Sequence, residues 1–192
     1  MARTYTLKRR AEQQAETRRR IVEAAVELHG TVGPARTSLS MVAERAGVQR
    51  NTLYAHFPDE RSLQLACSGL FLERHPLPEA APWRAIADPA ERLRAGLEAV
   101  YGWYGRTEAV TACVLRDAEH HDQTRQTAEL RFGPAVEAWH EVLGEGLTAP
   151  QRAVLHLALG FHSWRALVRD SRLSAPAAAE VMARAVEAAG RA

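Results

Sequence analysis

Apolar residues in this chain recur every three or four positions along almost its whole length. Nowhere do apolar and polar residues alternate over a run long enough for a half-buried strand, so the chain is predicted to be all-α. A first helix is predicted over about Gln13–His29, with Ile21, Ala25 and Leu28 on one stripe joined by Val22 and Val26, and ended by Gly30 and Gly33-Pro34. Two short helices should follow, then a longer one from Pro58-Asp59 to about His75 whose apolar face is Leu63, Cys67, Leu70 and Phe71. The stretch "HPLPEAAPW", with Pro76, Pro78 and Pro82, cannot continue a helix and is the best boundary in the chain. Beyond it, Asp88-Pro89 has the form of a helix start for Leu93, Leu97, Val100, Tyr101 and Tyr104. A separate helix is expected around Val110, Cys113, Val114 and Asp117. Another follows with Phe132, Val136, Trp139 and Leu143, where Gly133-Pro134 implies a kink or a late start. The run Ala149–Arg169 is apolar on nearly all sides, and Ser174–Ala189 is an Ala-rich helix with Pro176 in its first turn.

With 192 residues the chain can bury a sizeable core without staples. Its two cysteines, Cys67 and Cys113, match no disulfide or zinc spacing. No apolar run reaches the roughly 20 residues of a spanning helix, and the N-terminus has no secretory signal pattern, so the expectation is a cytoplasmic protein without a membrane partner. Net charge is only +2, but residues 1–74 carry 12 positive and 8 negative side chains and the remainder 13 and 15. Arg3, Lys8, Arg9, Arg10, Arg18, Arg19 and Arg20 face only Glu12 and Glu16 within the first 20 positions. Such an end suits a polyanion, and it equally suits a solvated terminus.

The stretch "AERAGVQRNTLYAHFPDE", Ala43–Glu60, breaks a helical run at Gly47 and resumes it at once. If Leu39–Ala46 and Gln49–Phe57 are two short helices, Gly47 takes the positive φ that ends the first, and Ala43 lets the second cross it closely. Val42, Ala46, Val48 and Leu53 are then spaced to form the small core between them, which is helix-turn-helix spacing. Gln49, Arg50, Asn51 and Thr52 face outward at the start of the second helix, with Tyr54 and His56 after them. All can hydrogen-bond to base edges or phosphates, though any surface helix can carry such groups. Ser38 is placed to cap the first short helix, where its hydroxyl and the helix N–H groups could also meet a phosphate.

The segment "TSLSMVAERAGVQRNTLYAHFPDERSL", Thr37–Leu63, preceded by "RRRIVEAAVELHGTVG", resembles the TetR family of one-component transcriptional regulators. "LYAHF" followed by Pro58 is far more specific than a generic helix-turn-helix. The likeness is strong over the N-terminal third and looser at "GFHSWRALVRDSRLS", Gly160–Ser174. It implies a DNA-binding head over residues 1–57, a connecting helix over 58–75, and a helical body over 76–192 that binds a small-molecule effector and dimerises through its last two helices. It also implies a double-stranded DNA operator as partner, with Ser38, Tyr54 and His56 on phosphates and Gln49, Arg50, Asn51 and Thr52 reading bases. The family commonly has Lys where this chain has Asp59-Glu60, so Arg61 is the alternative to the family's phosphate contact at Glu60. Arg3–Arg10 could form a minor-groove arm.

In the body, Tyr101, Trp103, Tyr104, Cys113, Phe132, Trp139, Phe161 and His162 are candidates for an effector pocket, each of them serving packing just as well. Leu157, Phe161, Trp164, Leu167, Val181 and Ala185 are candidates for a homodimer face; burial within one protomer would explain that run equally, and DNA binding favours the dimer. In "RDAEHHDQ", Asp117 and His121 have the i, i+4 spacing of a metal pair, but no third ligand is spaced to join them, so a solvated helix end with no metal and no cofactor is expected. Cys113 or Ser163 with a histidine could in principle serve a hydrolase. Without a nucleophile elbow, phosphate loop or metal motif, the chain does not read as an enzyme. The alternative to an effector-responsive regulator is a constitutive or non-specific DNA-binding dimer.

Overall fold

The computed structural model describes residues 2–190, with side chains from residue 8 onward. Nine α-helices and no strand occur among the described residues: α1 (Ala2–Thr31), α2 (Leu39–Ala46), α3 (Arg50–His56), α4 (Glu60–Arg74), α5 (Pro89–Ala118), α6 (Asp122–Leu143), α7 (Ala149–Ala158), α8 (Phe161–Arg165) and α9 (Ala175–Ala188). Two compact units result, the first made by the chain up to Arg74 with Ala112–Arg131, the second by His75–Thr111 with the chain from Phe132 onward. The chain is therefore all-α, as the periodicity predicts.

In the first unit, α1 packs on α2, α3 and α4 around Ile21, Val22, Ala25, Val42, Ala46, Leu53, Phe57, Leu63 and Cys67, all buried. Val48 is half-buried against this core. Helix α1 begins well before Gln13, because its polar first turns are rich in good helix formers and need no apolar stripe. A 3-10 turn at Pro34–Arg36 leads into α2. That turn is held by Asp117, whose carboxylate accepts from the Ala35 N–H at 2.9 Å, while Arg116 pairs with Asp117 at 2.7 Å and donates to the Val32 carbonyl at 3.0 Å. Gly33 is required there: its φ is +102, and a Cβ would collide with the Arg116 and Asp117 side chains. Asp117 is thus buried at the end of α5, not solvated as expected, and the ion pair draws its carboxyl down despite the opposing cost of burial. His121 contacts Thr124 at 2.7 Å through Nδ1.

The second unit is built on aromatic side chains. Trp103 and Trp139 donate their indole N–H groups to the carbonyls of His75 and Pro78, at 3.0 and 2.8 Å, pinning the proline-rich stretch whose backbone has no ladder of its own. Expected boundaries change at three places. The two helices foreseen between Pro89 and Ala118 are one, α5, since Gly102 and Gly105 keep negative φ and sit beside buried Trp103 and Tyr104. Helix α6 starts at Asp122 and runs through Pro134, so the late start is wrong; the carbonyl that Pro134 leaves without a partner is that of Leu130, on an exposed stretch open to solvent. The apolar run after Ala149 is broken at Leu159-Gly160, and the carbonyls freed there accept the hydroxyls of Tyr101 (to Ala158, 2.8 Å) and Tyr104 (to Leu159, 2.8 Å). A single π turn, Ala166–Asp170, ends α8. Arg94 of α5 pairs with Glu180 of α9 at 2.7 Å.

Candidate nucleic-acid interface

The turn between α2 and α3 is built by backbone chemistry. Gly47 has φ 63 and ψ 41, its N–H donates to the Glu44 carbonyl at 3.0 Å, and the Val48 N–H donates to Ala43 at 3.0 Å. This paired closure is available to a left-handed residue, and glycine adopts it without a Cβ penalty. Arg20 of α1 adds a clamp that sequence reasoning missed, its guanidinium donating to the carbonyls of Ala46 and Gly47, the latter at 3.2 Å. Ser38 accepts the Met41 N–H at 3.2 Å, as expected of the α2 cap.

Three of the seven basic residues counted at the N-terminal end, Arg18, Arg19 and Arg20, have structural roles, as do Arg45 and Arg74 beyond it. Arg18 lies 4.8 Å over the Phe57 ring, Arg19 pairs with Glu16 and Glu23, Arg45 with Glu27, and Arg74 with Glu23 at 2.6 Å. Asp59, read above as a departure from a basic position, accepts the Ser62 N–H at 2.7 Å and so caps α4. Glu60 then sits in the first turn of α4, where the helix dipole favours a carboxylate.

The polar side chains of α3 are different from these paired arginines. Gln49 caps it with backbone only, and the side chains of Gln49, Arg50, Asn51, Thr52, Tyr54 and His56 make no hydrogen bond or ion pair among the described residues. Gln49, Arg50 and Asn51 are exposed, Tyr54 is 43 % exposed, and Thr52 and His56 are half-buried, while Leu53 is fully buried and fixes the rotation of the helix. Arg61 is exposed on the first turn of α4 without an ion-pair partner among the described residues. The segment with Arg9 and Arg10 is part of α1 rather than an extended arm. The side chain of Arg3 lies outside the described residues.

A family model described as "Bacterial regulatory proteins, tetR family" matches residues 21–67, the span from α1 through the turn into α4. The HTH-type transcriptional regulator TtgR of Pseudomonas putida is 32% identical over 134 residues, covering 65% of this chain and 64% of its own length. Residues 21–67 are a TetR-family domain. The chain spans a little under two thirds of the curated relatives it matches. Among solved structures, NalD, the secondary repressor of the MexAB-OprM multidrug efflux pump in Pseudomonas aeruginosa, has a TM-score of 0.64 and 26% identity over 93% of this chain and 97% of that one. FadR from Bacillus subtilis in complex with stearoyl-CoA has a TM-score of 0.61 at 16% identity over 87% and 96%, a likeness of fold alone.

The remaining candidates fall in the second unit, with one exception. Tyr101, Trp103, Tyr104, Trp139 and Phe161 are buried, Phe132 is half-buried, and His162 is exposed on α8. Trp103 meets Tyr104 and Phe132 edge-on, and Tyr104 meets Phe161 at 5.4 Å. Burial pushes the Tyr101 and Tyr104 phenols up, so both remain neutral donors. Cys113 lies in the first unit, its thiol 3.7 Å from the Gly30 carbonyl. The rings of Phe161 and Trp164 are spent on the unit's own core, whereas Leu157 (59 %) and Val181 (46 %) are exposed and Leu167 and Ala185 are half-buried. The Trp164 indole N–H has no acceptor among the described residues. No helix among the described residues is long and apolar enough to cross a membrane.

Proposed function

We propose that this protein is a sequence-specific DNA-binding transcriptional regulator of the TetR family, a homodimeric repressor released from its operator by a small molecule. The observation that carries the reading is the outer face of α3, which offers six polar side chains with no hydrogen-bond or ion-pair partner among the described residues, on a helix whose rotation is fixed by buried Leu53. A helix-turn-helix directs that element into the major groove, and two copies in a dimer would enter successive grooves roughly 34 Å apart. In this reading residues 1–57 are the head, 58–75 the connecting helix and 76–192 the body. Gln49, Arg50, Asn51 and Thr52 read base edges, Ser38, Tyr54 and His56 hold phosphates, and Arg61 supplies the charge that Glu60 does not. Leu157 and Val181, with Leu167 and Ala185, form the dimer face.

The effector would bind the body among Tyr104, Phe161 and their aromatic neighbours, and the orphan indole N–H of Trp164 favours a ligand with an acceptor oxygen. It releases DNA if it binds better to a dimer whose two heads are spaced wrongly for the operator. The test is selection of duplexes from a random-sequence pool by wild type, Arg50→Ala, Asn51→Ala and Tyr54→Phe proteins. The two α3 variants should lose discrimination at particular base positions, and Tyr54→Phe should weaken all duplexes evenly. Uniform loss in all three would refute the division of roles.

A further inference from the structure

Helices α1 and α3 wall an open groove of about 480 Å³, with Arg10, Gln13, Gln14 and Thr17 on the α1 side and Asn51 and His56 among those on the α3 side. The four α1 residues are spaced i, i+3, i+4, i+7 and so form one face of the helix. No carboxylate lines the groove among the described residues, although α1 carries Glu12, Glu16, Glu23 and Glu27. Glu16 and Glu23 are held by Arg19, Glu23 also by Arg74, and Glu27 by Arg45. The side chains of Arg10, Gln13 and Gln14 have no hydrogen-bond or ion-pair partner among the described residues; Thr17 donates to the Gln13 carbonyl at 2.9 Å. A slot whose described lining holds an arginine and several amides and no acid, beside the recognition helix, matches a sugar-phosphate strand in charge and in hydrogen-bonding capacity. The helical state of this segment decides how it meets DNA. An α-helix about 10–12 Å across does not fit a minor groove about 6 Å wide, so α1 must lie along the backbone and not inside the groove.

We propose that the α1–α3 groove seats the phosphate backbone of the strand flanking the major groove entered by α3, with Arg10 as the charge contact and Gln13 and Gln14 as neutral donors. The inference rests on the DNA-binding reading above. Contacts of this kind fix position without reading sequence.

The experiment uses the full chain and a duplex that the wild-type protein has enriched from a random pool, with a scrambled duplex beside it. Affinities are measured against salt for wild type, Arg10→Ala/Gln14→Ala and Gln14→Glu, each checked for unchanged helical circular dichroism. The double variant should bind both duplexes roughly tenfold or more weakly, with the ratio between them unchanged and the salt slope smaller by about one. Gln14→Glu should weaken both duplexes as well, by repulsion. Wild-type affinity and slope in both variants, or a changed base preference in either, would overturn the groove assignment while leaving the regulator reading intact. Failure of the wild type to enrich any duplex would remove the DNA-binding reading itself, and the groove proposal with it.

Discussion

Acid should loosen the first unit through one histidine. His29, near the end of α1, lies with Nδ1 3.3 Å from the Sγ of Cys67 on α4. Burial pulls the imidazole down from its ordinary 6.5 to about 4, only partly opposed by the Asp117 carboxylate. The neighbouring thiol gives no help, because burial pushes it up to about 12 and it stays neutral while donating to the Gln64 carbonyl at 3.3 Å. The folded unit binds fewer protons than the unfolded chain between these two values. Stability is therefore full above pH 6.5 and is lost progressively as pH falls from there to the folded value of about 4. A displacement of that size corresponds to roughly 3 kcal/mol when fully expressed, of which about a hundredfold in the opening equilibrium is reached by pH 4. Hydrogen exchange of the α1 and α4 amides, corrected for intrinsic rates, should show protection falling by about that factor between pH 7 and pH 4. In His29→Gln, which keeps a polar neutral group at the site, most of this dependence should vanish. Equal pH dependence in the two proteins would show that His29 is not the group responsible.

Two further outcomes follow from the same geometry. Gly47→Ala forces a Cβ into the left-handed region and within 3.0 Å of the Arg20 guanidinium, which should cost about 1–2 kcal/mol of head stability and weaken DNA binding; denaturant titration checks the first and duplex titration the second. Leu157→Glu places a charge on the exposed face of α7 and should yield monomers in sedimentation, whereas a variant that remained dimeric would remove α7 from the interface.

Local chemistry made the centre of the head legible. Gly47, the Ser38 cap and the buried set Val42, Ala46 and Leu53 are all specified within a few residues of one another, so spacing alone located α2 and the turn after it. Prolines at 76–82 marked the end of α4, which stops at Arg74, for the same reason. What spacing could not reach depends on partners far away in the chain. The break after α7 is stabilised by Tyr101 and Tyr104, more than fifty positions earlier, and Arg20 reaches the α2 terminus across 26 positions. The arginines at 18–20 read as one basic run, yet one stacks on an aromatic ring, one pairs with glutamates and one caps a helix. Asp59 shows the converse, a residue that looked like a loss of charge and is the cap of α4. The polar strip at Arg10, Gln13, Gln14 and Thr17 has a helical spacing that could have been noticed, but only the packing of α1 on α3 gives it a neighbour.

The most direct test of the central claim is recovery of sheared genomic DNA from the source organism by the purified protein at fixed salt, followed by sequencing. The account predicts that a few fragments are strongly enriched and share a near-palindrome whose half-sites lie about one helical turn apart or a multiple of it. Recovery of fragments in proportion to their abundance, with steep salt dependence and no shared sequence, would contradict it and leave a non-specific DNA-binding protein.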